Sequence, residues 1–402
     1  MPPELLREIF SWTLPPIKDV DKLDMGQTPW LLTQVSSRWR AIALSTPSLW
    51  SRIIIDYSQN HSPYSLSLIK GMDPRAVDTF KMLSQYSLRW EELSLGLASE
   101  LVPALGALRD RLPSLCRSWI QWNHPPDQGV ASIDCFQTAC SLVDIGIFNE
   151  FCFVPTLLPV HQLTLTCYKP DCPLDEHMRI LKQTPNLVEA RISIDFEEHR
   201  WPDSLETVDL LRLRRLYISN PVALKCFKVP ALDGLALVEG SDSKDILPPF
   251  QSFLNHSSCF LRRICLVSPA AHTTTKLLQC CPSITELLVV HDDAERRDKI
   301  DTLILALTGV SITPHLLLIF FGCEDENHLD YMAYLEMLKS RCTAENCALK
   351  SAALLVADGP KPESATISGL HALREEGLDL LLLEGMEATD EIDRWDYKTS
   401  WN

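Results

Sequence analysis

The chain contains no CxxC pair, no glycine-rich phosphate loop and no apolar run long enough to cross a bilayer, and it is short of positive charge. Each absence excludes something. Lys plus Arg number 37 against 53 Asp plus Glu, a formal charge of −16. That field argues against a general grip on nucleic acid or on an anionic membrane surface. The 14 cysteines are scattered, with Cys226, Cys259, Cys265 and Cys323 in apolar stretches. The C-x4-C spacings at Cys135/Cys140, Cys167/Cys172 and Cys342/Cys347 do not match a common zinc pattern. Cys167 and Cys172 with His177 come nearest to one. Buried thiols in a reducing compartment are the better reading, and the adjacent Cys280 and Cys281 fit helix packing. The longest apolar run, around Leu316 to Phe321, is far short of a membrane span. Met1-Pro2-Pro3-Glu4 has neither the basic start nor the apolar core of a signal peptide. A soluble protein of the cytoplasm or nucleus is expected, with neither a membrane nor a nucleic acid as partner.

Catalytic signatures are missing as well. No nucleophile elbow, P-loop, metalloprotease helix or kinase set occurs. His291-Asp292-Asp293 follows a strand-like run, and a solvated loop after Val290 is expected there. No catalytic residue, metal or cofactor is predicted, and the expectation is a non-enzyme. What the chain does have is bulk: 402 residues, 46% of them hydrophobic and 22% charged, enough for a buried core and for more than one structural unit.

The first fifty-odd residues read as short helices. Pro2 and Pro3 sit where a helix starts, because proline lacks an amide that the first turn leaves unpaired. Glu4 and Glu8 suit the positive end of the helix dipole. Leu5, Leu6, Ile9 and Phe10 fall on one stripe, and Leu14-Pro15-Pro16 ends it. Asp19, Asp21, Asp24 and Gly26 read as a loop. Thr28-Pro29 predicts the start of a second helix carrying Leu32, Val35, Trp39, Ile42 and Ala43 at helical spacing, flanked by Arg38 and Arg40. Thr46-Pro47 repeats the start signal ahead of Leu49 and Trp50.

These residues carry a resemblance. Pro2-Pro3-Glu4-Leu5-Leu6, Ile9-Phe10, the run Val35-Ser36-Ser37-Arg38-Trp39-Arg40 with Ile42-Ala43, and Leu49-Trp50 together resemble the F-box, in the form found in F-box-like proteins abundant in mushroom-forming fungi. The resemblance implies docking onto the Skp-type adaptor of a Skp–cullin–F-box ubiquitin ligase. It also implies that Pro3, Leu5, Leu6, Ile9, Phe10, Trp39 and Trp50 form that docking surface or support it.

Behind this segment a pattern, apolar-x-x-apolar-x-apolar, recurs at separations of roughly 25 residues. It appears at Trp90/Leu93/Leu95, Val160/Leu163/Leu165, Leu213/Leu216/Ile218, Leu232/Leu235/Leu237, Leu261/Ile264/Leu266 and Ile284/Leu287/Val289. Weaker copies fall at Leu115, Leu142 and Leu187, and degenerate ones near Leu316, Leu349 and Leu378. Between them, Ile180–Leu187 and Leu277–Ile284 each read as a helix ended near proline and followed by a strand. A strand that turns two apolar side chains inward and a helix that covers them cannot bury their faces alone, but a stack can. This resembles irregular leucine-rich repeats. A doubly wound α/β domain would give similar alternation, though no phosphate loop supports it. The expected fold is therefore α/β: an F-box-like helical segment over 1–56, an irregular leucine-rich-repeat solenoid over 57–383, and an acidic C-terminal cap or tail over 384–402.

In that register, alternate strand residues face solvent, which places Arg191, Ser193, Arg215, Tyr217 and Arg263 on an exposed face beside Glu189 and Glu286. Three arginines there would form a positive stripe able to grip carboxylate or phosphate in pairs of hydrogen bonds. Arg191, Arg215, Tyr217 and Arg263 are the candidate target-binding residues, with solvated surface charge as the plainer alternative. The expected function is a substrate receptor that holds an unknown protein target and, through the adaptor, engages a cullin. The same residues also fit a repeat scaffold with no ligase role, or an enzyme on an α/β core.

Overall fold

The computed structural model describes residues 1–14, 28–55, 74–97, 101–122, 134–149, 160–167, 178, 180–194, 207–238, 246–269, 271–291, 299–324, 329–343, 349–359 and 361–395. The chain divides into two compact units, one built mainly from Met1–Leu187, the other mainly from Val188–Asp195 and Pro202–Ser400.

The first unit opens with the helix Pro3–Trp12, proline at its first turn and Glu4 beside its positive end. The expected second helix is two. Helical turns run from Leu32 to Val35 and again from Ser37 to Leu44. Between them Ser36 is fully extended, and its hydroxyl accepts the amide of Trp39 at 3.1 Å. A serine able to cap has competed with helix continuation and won. Thr28 does not cap a helix; its hydroxyl donates to the carbonyl of Thr13. Thr46 likewise spends its hydroxyl on Ile42, at 2.7 Å, ahead of the 3-10 turn Pro47–Trp50. Leu6, Phe10, Leu32, Ile42, Ala43 and Leu49 close one small core, with Leu14, Trp39 and Trp50 packed against it.

Among the described residues, five strands of this unit follow: β1 (Arg52–Ile55), β2 (Glu92–Leu97), β3 (Arg117–Trp122), β4 (Asp144–Asn149) and β5 (Gln162–Cys167). All are parallel and lie in chain order. The ladder extends into the turns, where the amide of Cys116 reaches the carbonyl of Glu91 and that of Val143 reaches Cys116. Each apolar-x-x-apolar-x-apolar copy of this unit lands on a strand, and Leu93, Leu95, Ile120, Ile145, Ile147 and Leu163 are all buried.

In the second unit the main sheet holds β6 (Glu189–Ile194), β8 (Arg215–Ile218), β10 (Gly234–Val238), β11 (Arg263–Val267), β12 (Glu286–His291), β13 (Leu318–Cys323), β14 (Ser351–Val356) and β15 (Asp379–Glu384). Its strands too are parallel and neighbour one another in chain order, so the described sheet has no switch point of the doubly wound kind. A two-residue pair, β7 (Val208–Asp209) with β9 (Phe227–Lys228), lies outside it. From β10 onward a helix fills every connection: Leu247–Ser257, Ala271–Cys280, Lys299–Thr308, Tyr331–Thr343 and Ser364–Glu375. The register aligns Leu216, Leu235, Ile264, Leu287, Ile319, Ala352 and Leu380 in one row, all buried. Each fully buried Leu or Ile in such a row contributes about 1.5–3 kcal/mol.

The other face of this sheet departs from the expected alternation. Tyr217, Ala236, Cys265, Leu288, Phe320 and Ala353 occupy its central row, and all are buried in a second apolar cluster. That cluster is completed by Ala388 and Ile392 of the last helix, Met386–Trp395, which packs on β14 and β15. The acidic C-terminal segment expected as a cap or tail is thus, over these residues, a helix laid on the sheet. Tyr397 and Trp401 lie outside the described residues.

Candidate functional site

Two surfaces bear the residues singled out by sequence. On the helix Pro3–Trp12 successive side chains turn by about 100°, so Leu5, Ile9 and Trp12 share one narrow stripe and Leu6 and Phe10 the adjoining one. The structure separates these stripes. Leu6 and Phe10 are buried in the core, while Leu5, Ile9 and Trp12 are 50%, 36% and 77% exposed. Pro3 is exposed at the start of the same helix. Trp39 is half-buried, its ring 4.8 Å from that of Phe10. Trp50 is half-buried too, edge-on to Trp30 at 4.9 Å, with its indole nitrogen donating to the carbonyl of Ala43 at 2.9 Å. Of the seven residues expected at or behind a docking surface, Pro3, Leu5 and Ile9 are exposed, Leu6 and Phe10 are buried in the small core, and the two tryptophans pack against that core.

Trp12 joins this exposed stripe, and sequence reasoning did not single it out. It stands seven residues after Leu5, the spacing that returns to the same stripe. Val35, expected in the inward stripe, is instead exposed, because the break at Ser36 ends its helix there.

The arginine face is built differently from expectation. Glu189, itself buried, holds two arginines: one carboxylate oxygen lies 3.0 Å from Arg191 Nη2 and the other 3.1 Å from Arg215 Nη2. Parallel register places Arg215 directly beside Glu189. The same register sets Arg263 beside Glu286, with Nε and Oε2 3.7 Å apart. Three guanidinium groups therefore face two carboxylates, and the positive stripe is largely neutralised. Tyr217 is 9% exposed within the apolar cluster, so it does not face solvent as the alternation required. Its neighbours Ala236 and Cys265 are apolar as well, and a strand whose two faces are both apolar is buried on both.

His291 also departs from expectation. It ends β12 and is buried, rather than opening a solvated loop, and Asp292 and Asp293 lie outside the described residues. Cys172 and His177 lie outside them too. Among the described residues no group of three His, Cys, Asp or Glu could hold a metal ion, and no helix is long and apolar enough to cross a membrane.

The buried cysteines behave as packing groups. Burial pushes the Cys135 thiol up to about 12, with the nearby Asp134 carboxylate adding to the effect. Burial does the same for Cys281, to about 12, with Cys280 and Cys259 close by, and for Cys226, to about 11. A thiol with a pKa near 12 is thiolate to the extent of about one part in 10,000 at pH 8, and the thiolate is the nucleophile. Among the described cysteines, iodoacetamide at pH 8 is therefore expected to label the exposed Cys116 and Cys140 first and to spare Cys135 and Cys281 until denaturant is added. Peptide mass spectrometry over time reads this. Early labelling of Cys135 would contradict the packing described.

No family model matches the chain, and no curated protein matches it.

Proposed function

We propose that this chain is the substrate-recognition subunit of a Skp–cullin–F-box ubiquitin ligase, acting in the cytoplasm or nucleus. Its N-terminal helices dock the Skp-type adaptor, and through it a cullin, while a leucine-rich-repeat solenoid behind them takes the protein target. In this reading the chain carries no catalytic residue. It raises the effective concentration of a target beside an enzyme held elsewhere in the assembly.

One observation carries the docking half. The helix Pro3–Trp12 places half of its apolar arc in its own core and leaves the other half, Leu5, Ile9 and Trp12, partly to largely exposed. A domain this small gains by completing its packing against a partner. In-order parallel strands with a helix in each connection from β10 onward support the solenoid half.

The test is co-purification with a purified Skp-type adaptor. Leu5→Asp with Ile9→Asp is expected to weaken retention by about a hundredfold or more, since burying each of these side chains against a partner is worth roughly 1.5–3 kcal/mol. The melting temperature should stay within about 2 °C of the parent, because both side chains are outside the core. Failure of the parent chain to bind the adaptor, or full retention by the double variant, would sink this reading.

A further inference from the structure

Beside the arginines that Glu189 and Glu286 neutralise stand two cations without such a match. Arg214 and Arg262 each hold the last position before a strand, β8 and β11, and both are exposed. The amide of Asp233 donates to the carbonyl of Arg214 at 2.9 Å, and the amide of Arg262 to the carbonyl of Asp233 at 2.8 Å. The three residues are therefore lateral neighbours in one row, and side chains in such a row leave the backbone in the same direction. Asp233, in the middle, is half-buried. Among the described residues, neither arginine has an ion pair or a side-chain hydrogen bond. The next members of the row, Val188 and Thr285, carry no charge.

Charge and spacing define what fits this row. The strands β6, β8, β10, β11 and β12, each with the residue before it, hold five arginines against three carboxylates. That excess stands on a chain of formal charge −16, so this edge of the sheet is a local attractor for anions. Neighbouring strands lie about 4.8 Å apart, which sets Arg214 and Arg262 about 9.6 Å apart at the backbone. A single anion midway would face Asp233 at close range. Two carboxylates, one on each arginine, straddle it instead. In a polyproline II segment, with three residues per turn and a rise of about 3.1 Å, residues i and i+3 share one side about 9.3 Å apart. Carboxylates four residues apart on a helix stand only about 6 Å apart and reach one arginine at a time.

We infer that Arg214 and Arg262 form a two-point clamp for an extended acidic segment of the protein target, one whose carboxylates recur three residues apart. Each guanidinium takes one carboxylate through paired hydrogen bonds. Arg191, Arg215 and Arg263, held by Glu189 and Glu286, frame the clamp. This deepens the target-recognition half of the function proposed above and rests on it.

The probe is a fluorescein-labelled, proline-rich peptide with glutamate at every third position, titrated into the full chain at low salt and followed by anisotropy. Low salt and a repeated motif suit contacts between exposed charges, which are individually weak and readily screened. A second peptide has the same composition with its glutamates in one adjacent run. Saturable binding of the first peptide, at least fivefold tighter than of the second, is the expected result. Arg214→Glu with Arg262→Glu should weaken it at least tenfold, and the milder Arg214→Gln with Arg262→Gln should act in the same direction. Lys339→Glu with Lys361→Glu, an equal change of charge at exposed lysines elsewhere, should leave it within twofold. No saturable binding, equal uptake of the two peptides, or unchanged binding by both arginine variants overturns the proposal. So does tighter uptake of a peptide whose glutamates are replaced by a single phosphoserine, which would assign the pair to one phosphoryl group. Adaptor retention, measured on the same samples, reports only on the docking helices, so failure of the clamp and failure of the ligase reading are told apart.

Discussion

Replacing Arg341 by alanine is expected to cost roughly 3–5 kcal/mol of stability, the scale for breaking a buried, charge-assisted network. Arg341 is buried in the helix Tyr331–Thr343. Its Nε donates to the carbonyl of Leu307 at 2.7 Å, Nη2 to Ile312 at 2.8 Å and Nη1 to Thr313 at 3.2 Å. Leu307 stands in the last turn of the helix Lys299–Thr308, where carbonyls have no partner within the helix and the dipole favours a cation. Ile312 and Thr313 belong to the connection into β13, and Thr313 holds φ +51°, an unusual state for a β-branched residue. One planar guanidinium thus closes a helix end and pins the turn that feeds the strand. Alanine would leave these carbonyls buried without that donor and open a cavity besides. Lysine keeps the charge but cannot span the three acceptors, so Arg341→Lys should lose a smaller but still clear part of the stability. Urea unfolding followed by circular dichroism would show a lower midpoint at unchanged slope. A loss below about 1 kcal/mol for Arg341→Ala would mean that water or repacking replaces the network.

Arg341 could not have been picked out by reading the chain, whereas the strands could. Their signal is local. Leu213, Leu216 and Ile218 or Ile284, Leu287 and Val289 place apolar side chains at spacings that only a strand following a tight turn can bury together, and β8 and β12 lie there. The covered face has a partial signal. Runs such as Leu287-Leu288-Val289-Val290 and Ala352-Ala353-Leu354-Leu355 are apolar at every position, which marks a strand buried on both sides. Fitting a solvated face to the arginines at 191, 215 and 263 passes over those runs. What lies on the second face is a long-range matter. Ala388 and Ile392 are two ordinary apolar residues in an acidic helix, and only the space left by Gly322 shows where they go. In the first helix, inside and outside are not separable by sequence either, because Leu5 and Leu6 differ only by about 100° of rotation and both sit within a broad apolar arc. The break at Ser36 is hidden for a third reason: a capping serine and a tolerated helical serine look alike until the hydroxyl is seen on the amide of Trp39.

The sharpest test of sheet packing in the first unit is Gly146→Val, with an expected cost of roughly 2–4 kcal/mol. Gly146 on β4 stands in register with Trp119 on β3. The indole lies across the glycine: a Cβ at 146 would fall 2.0 Å from Cε3 and 2.4 Å from Cζ3 of Trp119. Any side chain there must drive the half-buried ring off the sheet. In most strands glycine is itself the weaker choice, since it loses more backbone entropy than alanine by roughly 0.5–1 kcal/mol and packs nothing. The sign of the effect should therefore depend on the tryptophan. In a Trp119→Ala background Gly146→Val is expected to be neutral or stabilising, because the β-branched side chain then fills vacated space on a pleated surface. Urea midpoints of the parent, the two single variants and the double variant form a cycle, and a coupling of roughly 2 kcal/mol or more is expected for side chains that touch directly. An additive result would mean that the ring moves aside without cost and that Gly146 is not there to admit it.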